Sequence, residues 1–302
     1  MRARLADTLD YLFDEVGGPL GITPAEAAEA ASHIRTSAQS PNRFGAYYEM
    51  VLAIEEDELD GARDLARELI GAADAEGTRI AGIDDRGVAE AERYRRLLLP
   101  NLDVAQPEPD FLAATRERVD AAFALLDRGF PEMSAEIRAL LREIVIAAGP
   151  EDPKALTFDG ASSYMLWGAI LLNARGQTNV LDTAQALAHE SGHNLLFGFC
   201  ASESLVENPD DELFSSPLRK DPRPMDGVFH ATYVVARMHQ TLTRLLEAGV
   251  VPADSSDAAL ADLKAHRANF DSGDRVIRDG ARLTPLGESV IESARGYMAS
   301  AA

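Results

Sequence analysis

Two histidines and a glutamate in the segment His189-Glu190-Ser191-Gly192-His193 have the residue types and spacing of a metal site. Histidines four residues apart on a helix project from the same face, one turn apart, so both imidazoles can bind one cation. Glu190 follows His189 directly and could accept a proton from a metal-bound water or orient that water, as in zinc proteases. Only three positions of the pattern are fixed and chance matches occur, so two hydrogen-bonded core histidines are the alternative interpretation.

A helix supplies only two ligands, and a working metal site usually has a third protein ligand. The metzincin extension is absent, because Leu196 and Phe199 stand where that family has glycine and histidine. A thermolysin-like glutamate is the weaker option, because the downstream candidates lie in a loop-like segment rich in Ser, Asn, Asp and Pro. Those candidates are Glu203, Glu207 and Glu212.

We favour His230 as the third ligand, because it lies in an apolar helical segment between Phe229 and Val234 and is expected to be buried. The other histidines lie in charged or mixed contexts and are expected to be ordinary. They are His33, His239 and His266.

Arginines near His230 provide a second indication of function. Arg219 and Arg223 lie in the loop that leads into the His230 helix, and Arg237 follows His230 two turns later on the same face. Guanidinium groups bind carboxylates through two hydrogen bonds, which suits a dicarboxylate cosubstrate or a peptide terminus. The alternative is that each arginine pairs with an aspartate or glutamate of the fold.

These residues together resemble a known family, the HExxH-type peptide β-hydroxylases, which are encoded with ribosomally made, post-translationally modified peptides. The resemblance covers roughly residues 155–240. It rests on the histidine-glutamate motif, the loop Ser216-Pro217-Leu218-Arg219 to Asp221-Pro222-Arg223-Pro224, and Gly227-Val228-Phe229-His230-Ala231 with Tyr233, Val234 and Arg237.

The resemblance implies an iron(II)- and 2-oxoglutarate-dependent oxygenase that hydroxylates the β-carbon of a side chain in a precursor peptide. It implies that His189, His193 and His230 bind the iron and that an arginine, Arg223 or Arg237, holds the distal carboxylate of 2-oxoglutarate. Glu190 would then orient a ligand or water. Imidazole suits zinc as well as iron, so a zinc metallopeptidase with Glu190 as general base is the alternative. A helical binding module with an accidental motif is the third hypothesis.

The elements that must position these residues are mainly helical. Apolar residues return at helical spacing from Arg2 to Ala147, which predicts about six helices. Thr23-Pro24-Ala25-Glu26 has the features of a helix start. One long helical stretch is expected from Phe44 to Ala73. Further helices are expected at about 111–128 and 133–147.

The composition changes after a boundary loop at 149–153. Aromatic and branched residues at 155–158 and 164–173 predict a small sheet beside the motif helix. Asp182 or Thr183 is expected to cap that helix, and further helices are expected at 227–248, 257–270 and 285–299. The predicted fold class is therefore mainly α (α+β), with a helical region at 1–150 and a metal-binding catalytic region at 151–302, or with both parts in one compact unit.

Composition limits the partners and the compartment. Of 302 residues 46% are apolar, enough for a substantial core, and the formal charge of −21 disfavours nucleic acid and anionic membranes. The single cysteine, Cys200, excludes an internal disulfide and favours a cytoplasmic location. The N-terminal segment lacks the apolar core of a signal peptide. The expected partner is a precursor peptide; the acidic charge suits a basic leader but is also a common solubility device.

Overall fold

The computed structural model describes residues 1–71, 77–98, 100, 104–150, 158–176 and 178–301. The chain divides into two compact units. The first comprises Met1–Glu108 and Leu141–Ala174, and the second comprises Pro109–Leu140 and Arg175–Ala302. This division differs from the expected boundary near residue 150. The strand at 143–147 pairs with an earlier strand at 79–82 and with a later one at 169–173. The helices of 109–140 pack on the motif helix, and the first of them also packs on the helix that carries His230.

The first unit contains five α-helices and a four-stranded sheet among its described residues. The helices are α1 (Arg2–Leu20), α2 (Pro24–Thr36), α3 (Pro41–Glu55), α4 (Leu59–Gly71) and α5 (Val88–Leu98). The strands are β1 (Arg79–Gly82), β2 (Glu143–Ala147), β3 (Gly160–Ser162) and β4 (Ala169–Asn173). The order across the sheet is β1-β2-β4-β3, with the first three strands parallel and β3 antiparallel to β4.

The helix start at Thr23 is confirmed. Its hydroxyl accepts a hydrogen bond from the Glu26 amide, and the Glu26 carboxylate accepts one from the Thr23 amide at 2.8 Å, which is a capping box. The expected long helix from Phe44 is instead two helices, because Asp57 between α3 and α4 adopts a positive φ of 61°, a conformation that aspartate tolerates better than most residues. Residues 72 and 73 lie outside the described part of the chain.

The prediction of a helix at 133–147 was wrong for its second half. The helix α7 (Pro131–Leu140) ends early, and Glu143–Ala147 forms the central strand β2, all of whose residues are buried. Branched Ile144, Val145 and Ile146 fit a strand that has neighbours on both sides. In the expected strand 164–173 only Ala169–Asn173 pairs as a strand, and Tyr164–Leu166 forms a 3-10 turn. Of the expected strand 155–158, residues 155–157 lie outside the described residues.

The second unit is a helical assembly around the motif helix. It contains α6 (Pro109–Gly129), α7, α8 (Val180–Phe199), α9 (Met225–Glu247), α10 (Ser256–Gly280) and α11 (Pro285–Ser300). A two-stranded antiparallel hairpin, β5 (Leu213–Phe214) with β6 (Arg223–Pro224), precedes α9. The helix α9 packs against α8, α10 and α11, and α6 and α7 pack against α8. The fold is therefore mainly α with a small mixed sheet, which confirms the predicted class.

None of the helices in the described ranges combines the length and the apolar character that crossing a membrane requires.

Candidate metal centre

The motif helix α8 presents His189 and His193 on one face. Its N-terminus is capped by Asn179, whose side chain accepts a hydrogen bond from the Asp182 amide at 2.9 Å. The expected cap, Asp182 or Thr183, was wrong, because both residues lie within the first turn of the helix. The Nε2 atoms of His189 and His193 lie 3.2 Å apart, and their ring centroids are separated by 4.9 Å. The spacing of the motif thus brings two imidazole nitrogens together.

The third predicted ligand comes from α9. His230 is buried, and its Nδ1 lies 3.0 Å from the Nδ1 of His193, with the two rings nearly parallel. Phe197, one turn after His193, packs against both of these rings. The Nε2 of His230 is 3.9 Å from the carboxylate of Asp226 on the first turn of α9. All three histidines singled out in the sequence therefore form one cluster in the second unit.

The close approach of α8 to α9 depends on a glycine inside the motif. A Cβ atom added at Gly192 would lie 2.9 Å from Cδ of Arg237 and 3.0 Å from Cγ1 of Val234, closer than ordinary carbon contacts of about 3.5–4.0 Å. The sequence motif leaves position 192 open to any residue. The indication in the sequence was a glycine in the interior of an apolar helix, where glycine costs about 1 kcal/mol relative to alanine and is therefore expected only where packing requires it.

Burial favours the neutral form of all three imidazoles. Burial lowers the pKa of His189 to about 4, with a smaller contribution from His266. Burial and the neighbouring His189 and His230 hold the pKa of His193 well below its usual range. Burial also lowers the pKa of His230, which Asp226 partly opposes. Neutral imidazoles retain the lone pair that a metal ion requires.

The donor set fits a transition metal, but the three rings are not all directed at one point. His193 turns Nε2 to His189 and Nδ1 to His230, and one imidazole gives a single nitrogen to an ion. Accordingly, within the described ranges, no group of three or more His, Cys, Asp or Glu residues is arranged to hold an ion as it stands. Two nitrogens each about 2.1 Å from one ion at a right angle are about 3.0 Å apart, so each observed separation suits a shared ion, and binding by all three imidazoles requires at least one ring to turn.

Glu190 belongs to the same cluster. Its side chain is buried, and its Oε1 lies 3.9 Å from Nε2 of His189, the nitrogen that faces His193. A carboxylate at this position can orient a water or another ligand beside the histidines, or accept its proton. The sequence prediction of a glutamate adjacent to the proposed ligand nitrogens is compatible with this placement.

The alternative third ligands lie elsewhere. Glu212 forms a 2.8 Å ion pair with Arg282 and accepts a hydrogen bond from Asn208. Glu203 and Glu207 are exposed in the segment between α8 and β5. The structure therefore brings His230, and none of these three glutamates, to the histidine pair.

Each predicted cosubstrate arginine has a carboxylate partner within the fold. Nε of Arg223 is 3.1 Å from Asp221, which also pairs with Arg219. Arg237 is buried and forms a 2.5 Å ion pair with Glu136 of α7. Pairing within the fold was the stated alternative for these arginines, and their role toward 2-oxoglutarate stays a prediction.

Two histidines expected to be ordinary are buried in the same unit, whereas His33 is exposed in the other unit. Nε2 of His266 lies 2.7 Å from Oε1 of Gln185, which stands one turn before His189 on the same helical face. Nδ1 of His239 lies 2.8 Å from the hydroxyl of Tyr297. Charged neighbours in the sequence led to the prediction that these two histidines are ordinary. The spacing of Gln185 and His189, which places both on one face of α8, was the sequence feature that could have pointed to a polar contact there.

Comparison with known proteins adds no assignment: no family model matches the chain, and no curated protein matches its sequence.

Proposed function

We propose that this chain is a metal-dependent oxygenase that hydroxylates the β-carbon of a side chain in a ribosomally made precursor peptide, using iron(II), 2-oxoglutarate and O2. The observation that carries the proposal is the position of His230, a third imidazole on a second helix, 3.0 Å from His193. The sequence resemblance supplies the reaction type, and the histidine cluster supports the ligand set. The reducing cytoplasm is the proposed location, since the sequence has a single cysteine.

In this proposal His189, His193 and His230 hold the iron, and three coordination positions are left for other ligands. Bound iron(II), with 2-oxoglutarate and O2, supplies the oxidising power for replacing a C–H bond by C–OH. Glu190 orients water or a ligand beside His189. Half-buried Phe197 packs against the rings of His193 and His230 and limits the access of bulk water to them.

Of the two predicted cosubstrate residues, Arg223 is the better placed for a carboxylate from solution. Its side chain is 36% exposed, and its partner Asp221 is 58% exposed, so a ligand can replace that partner at small cost. The guanidinium of Arg237 is buried against Glu136, and removing that partner would leave an unpaired buried charge. We therefore assign the distal carboxylate of 2-oxoglutarate to Arg223 first.

The test is turnover by the iron-loaded protein with 2-oxoglutarate, ascorbate and a precursor peptide encoded beside it. The expected result is release of succinate and a peptide heavier by one oxygen atom. The variant His230→Ala should lose this activity, and His33→Ala, which changes an exposed histidine of the other unit, should keep it. Absence of succinate under every substrate condition would contradict the proposal.

The second candidate function is a zinc metallopeptidase, which the position of Glu190 favours. Its carboxylate oxygen lies 3.9 Å from Nε2 of His189, where a general base for a metal-bound water would be needed. For this function the decisive result is cleavage of the peptide by the zinc-loaded protein that disappears in Glu190→Gln. Oxygen insertion without cleavage would reject the peptidase.

A further inference from the structure

The ion pair between Glu136 and Arg237 lies beside the turn of α8 that carries the motif. Both residues belong to the second unit, and the side chain of Arg237 is 8% exposed. Nε of Arg237 donates to the carbonyl oxygen of Ala188 at 3.4 Å, and one terminal nitrogen contacts Glu136 at 2.5 Å and the sulfur of Met133 at 3.1 Å. One guanidinium therefore connects α7 to the residue that precedes His189.

The position of this guanidinium also explains the glycine of the motif. The aliphatic part of Arg237 occupies the space that a side chain at position 192 would fill. Ala188 and Gly192 lie one turn apart on α8, so Arg237 contacts the helix along the stripe adjacent to His189 and His193. The same helix α9 carries His230 two turns earlier. The contacts of Arg237 thus determine how α8 and α9 are placed along each other where the histidines meet.

We propose that Glu136 and Arg237 form a positioning pair that holds the motif turn of α8 against α9 and keeps His189 and His193 within reach of His230. The consequence for metal binding rests on the proposed function, whereas the effect on α8 itself does not. Without the carboxylate of Glu136, the buried guanidinium loses the counterion that the described residues give it and moves toward water, so its contacts with Ala188 and Gly192 are lost. This role makes Arg237 a positioning residue rather than a ligand for 2-oxoglutarate.

The test compares Glu136→Gln, which removes the charge and keeps the shape, with Asp274→Asn. Asp274 pairs with Arg295 at 2.6 Å, and both of these side chains are largely buried, between α10 and α11. The control therefore breaks an ion pair of the same unit that joins α10 to α11 rather than α7 to α9, and Arg295 keeps a second partner, Glu292, at 2.7 Å. Two measurements are made on the full chain: amide hydrogen exchange of the metal-free protein, and a titration with Co(II) followed by its visible absorption bands.

The expected result for Glu136→Gln is exchange in α8 at least several-fold faster than in wild type. We also expect cobalt affinity lowered about tenfold to a hundredfold, as for other residues that orient metal ligands, with altered cobalt bands. Asp274→Asn should leave α8 exchange, cobalt affinity and the bands unchanged. Equal exchange and equal cobalt binding in the two variants would overturn the inference.

If the wild-type chain takes up no cobalt, the proposed metal function fails, and exchange in α8 alone decides the positioning role. Faster exchange in Glu136→Gln than in Asp274→Asn then upholds the role, and equal exchange overturns it. Should Glu136→Gln fail to fold, the same measurements are made on Glu136→Asp, which keeps the charge but shortens the side chain. Its exchange and cobalt affinity should fall between those of wild type and those expected for Glu136→Gln, and values equal to those of Asp274→Asn would overturn the inference.

Discussion

Replacing Gly192 by alanine tests how the two helices that carry the histidine cluster, α8 and α9, are brought together. The new methyl group would lie 2.9 Å from Cδ of Arg237 and 3.0 Å from Cγ1 of Val234. Ordinary carbon contacts are about 3.5–4.0 Å, so the helices or these side chains must move by about half an ångström or more. Arg237 cannot turn aside freely, because Glu136 and the carbonyl of Ala188 hold its guanidinium.

The free energy of unfolding follows from two opposing effects. Overpacking a well-packed interior costs about 1–3 kcal/mol, whereas alanine in place of a helical glycine contributes about 1 kcal/mol. Gly192→Ala should therefore be destabilised by about 0–2 kcal/mol in urea unfolding. The matched control is Gly296→Ala in α11, an exposed helical position where an added Cβ would meet nothing within 4 Å, and it should be stabilised.

The effect on metal binding follows from the displacement of His230. A shift of half an ångström between α8 and α9 disturbs the 3.0 Å approach of His230 to His193, so metal affinity should fall by about tenfold or more. The assay is a competition titration with a chromogenic chelator on both variants. If Gly192→Ala gains as much stability as Gly296→Ala and binds metal like wild type, the packing account of the site is refuted.

Three further predictions follow from the site and its helices. His230→Ala should lower the metal content of untagged protein measured by elemental analysis, whereas His33→Ala should not; equal loss in both would remove His230 from the ligand set. Burial lowers the pKa of His239 to about 4 and also lowers the pKa of His266, so the folded chain binds fewer protons than the unfolded chain. Their contribution to stability is complete above the usual histidine pKa of about 6.5 and is lost as the pH falls toward 4, so the urea midpoint should drop between pH 7 and 5; a midpoint that stays constant or rises would contradict this. Asn179→Ala should lower the free energy of unfolding by about 1 kcal/mol, because the cap of α8 is lost; no change in urea unfolding would show that the cap contributes nothing.

Much of the fold could be predicted from the sequence, because local rules decide most of it. The periodicity of apolar residues indicated the helices, and the capping box at Thr23 fixed the start of α2. The sequence predicts Glu143–Ala147 as the end of a helix rather than a strand, because a short apolar run does not show which periodicity it follows. Its identity depends on pairing with β1 and β4, which come from distant parts of the sequence.

The candidate site also combines features that the sequence predicts with features that it does not. His189 and His193 could be predicted because their spacing is a property of one helix, and His230 could be predicted because it is a histidine in an apolar segment. The partner of Arg237 could not be predicted from the sequence, because Glu136 lies 101 positions earlier in the chain and only the packing of α7 brings it near. The requirement for glycine at position 192 has the same tertiary origin.

The proposed oxygenase requires His189, His193 and His230 to hold one metal ion. This requirement is measurable by X-ray absorption of untagged protein loaded anaerobically with iron(II), in wild type and in His230→Ala. We expect an iron environment with three imidazole ligands in wild type and one fewer in His230→Ala. An identical imidazole count in both proteins, or no bound iron in the wild-type chain, would contradict it.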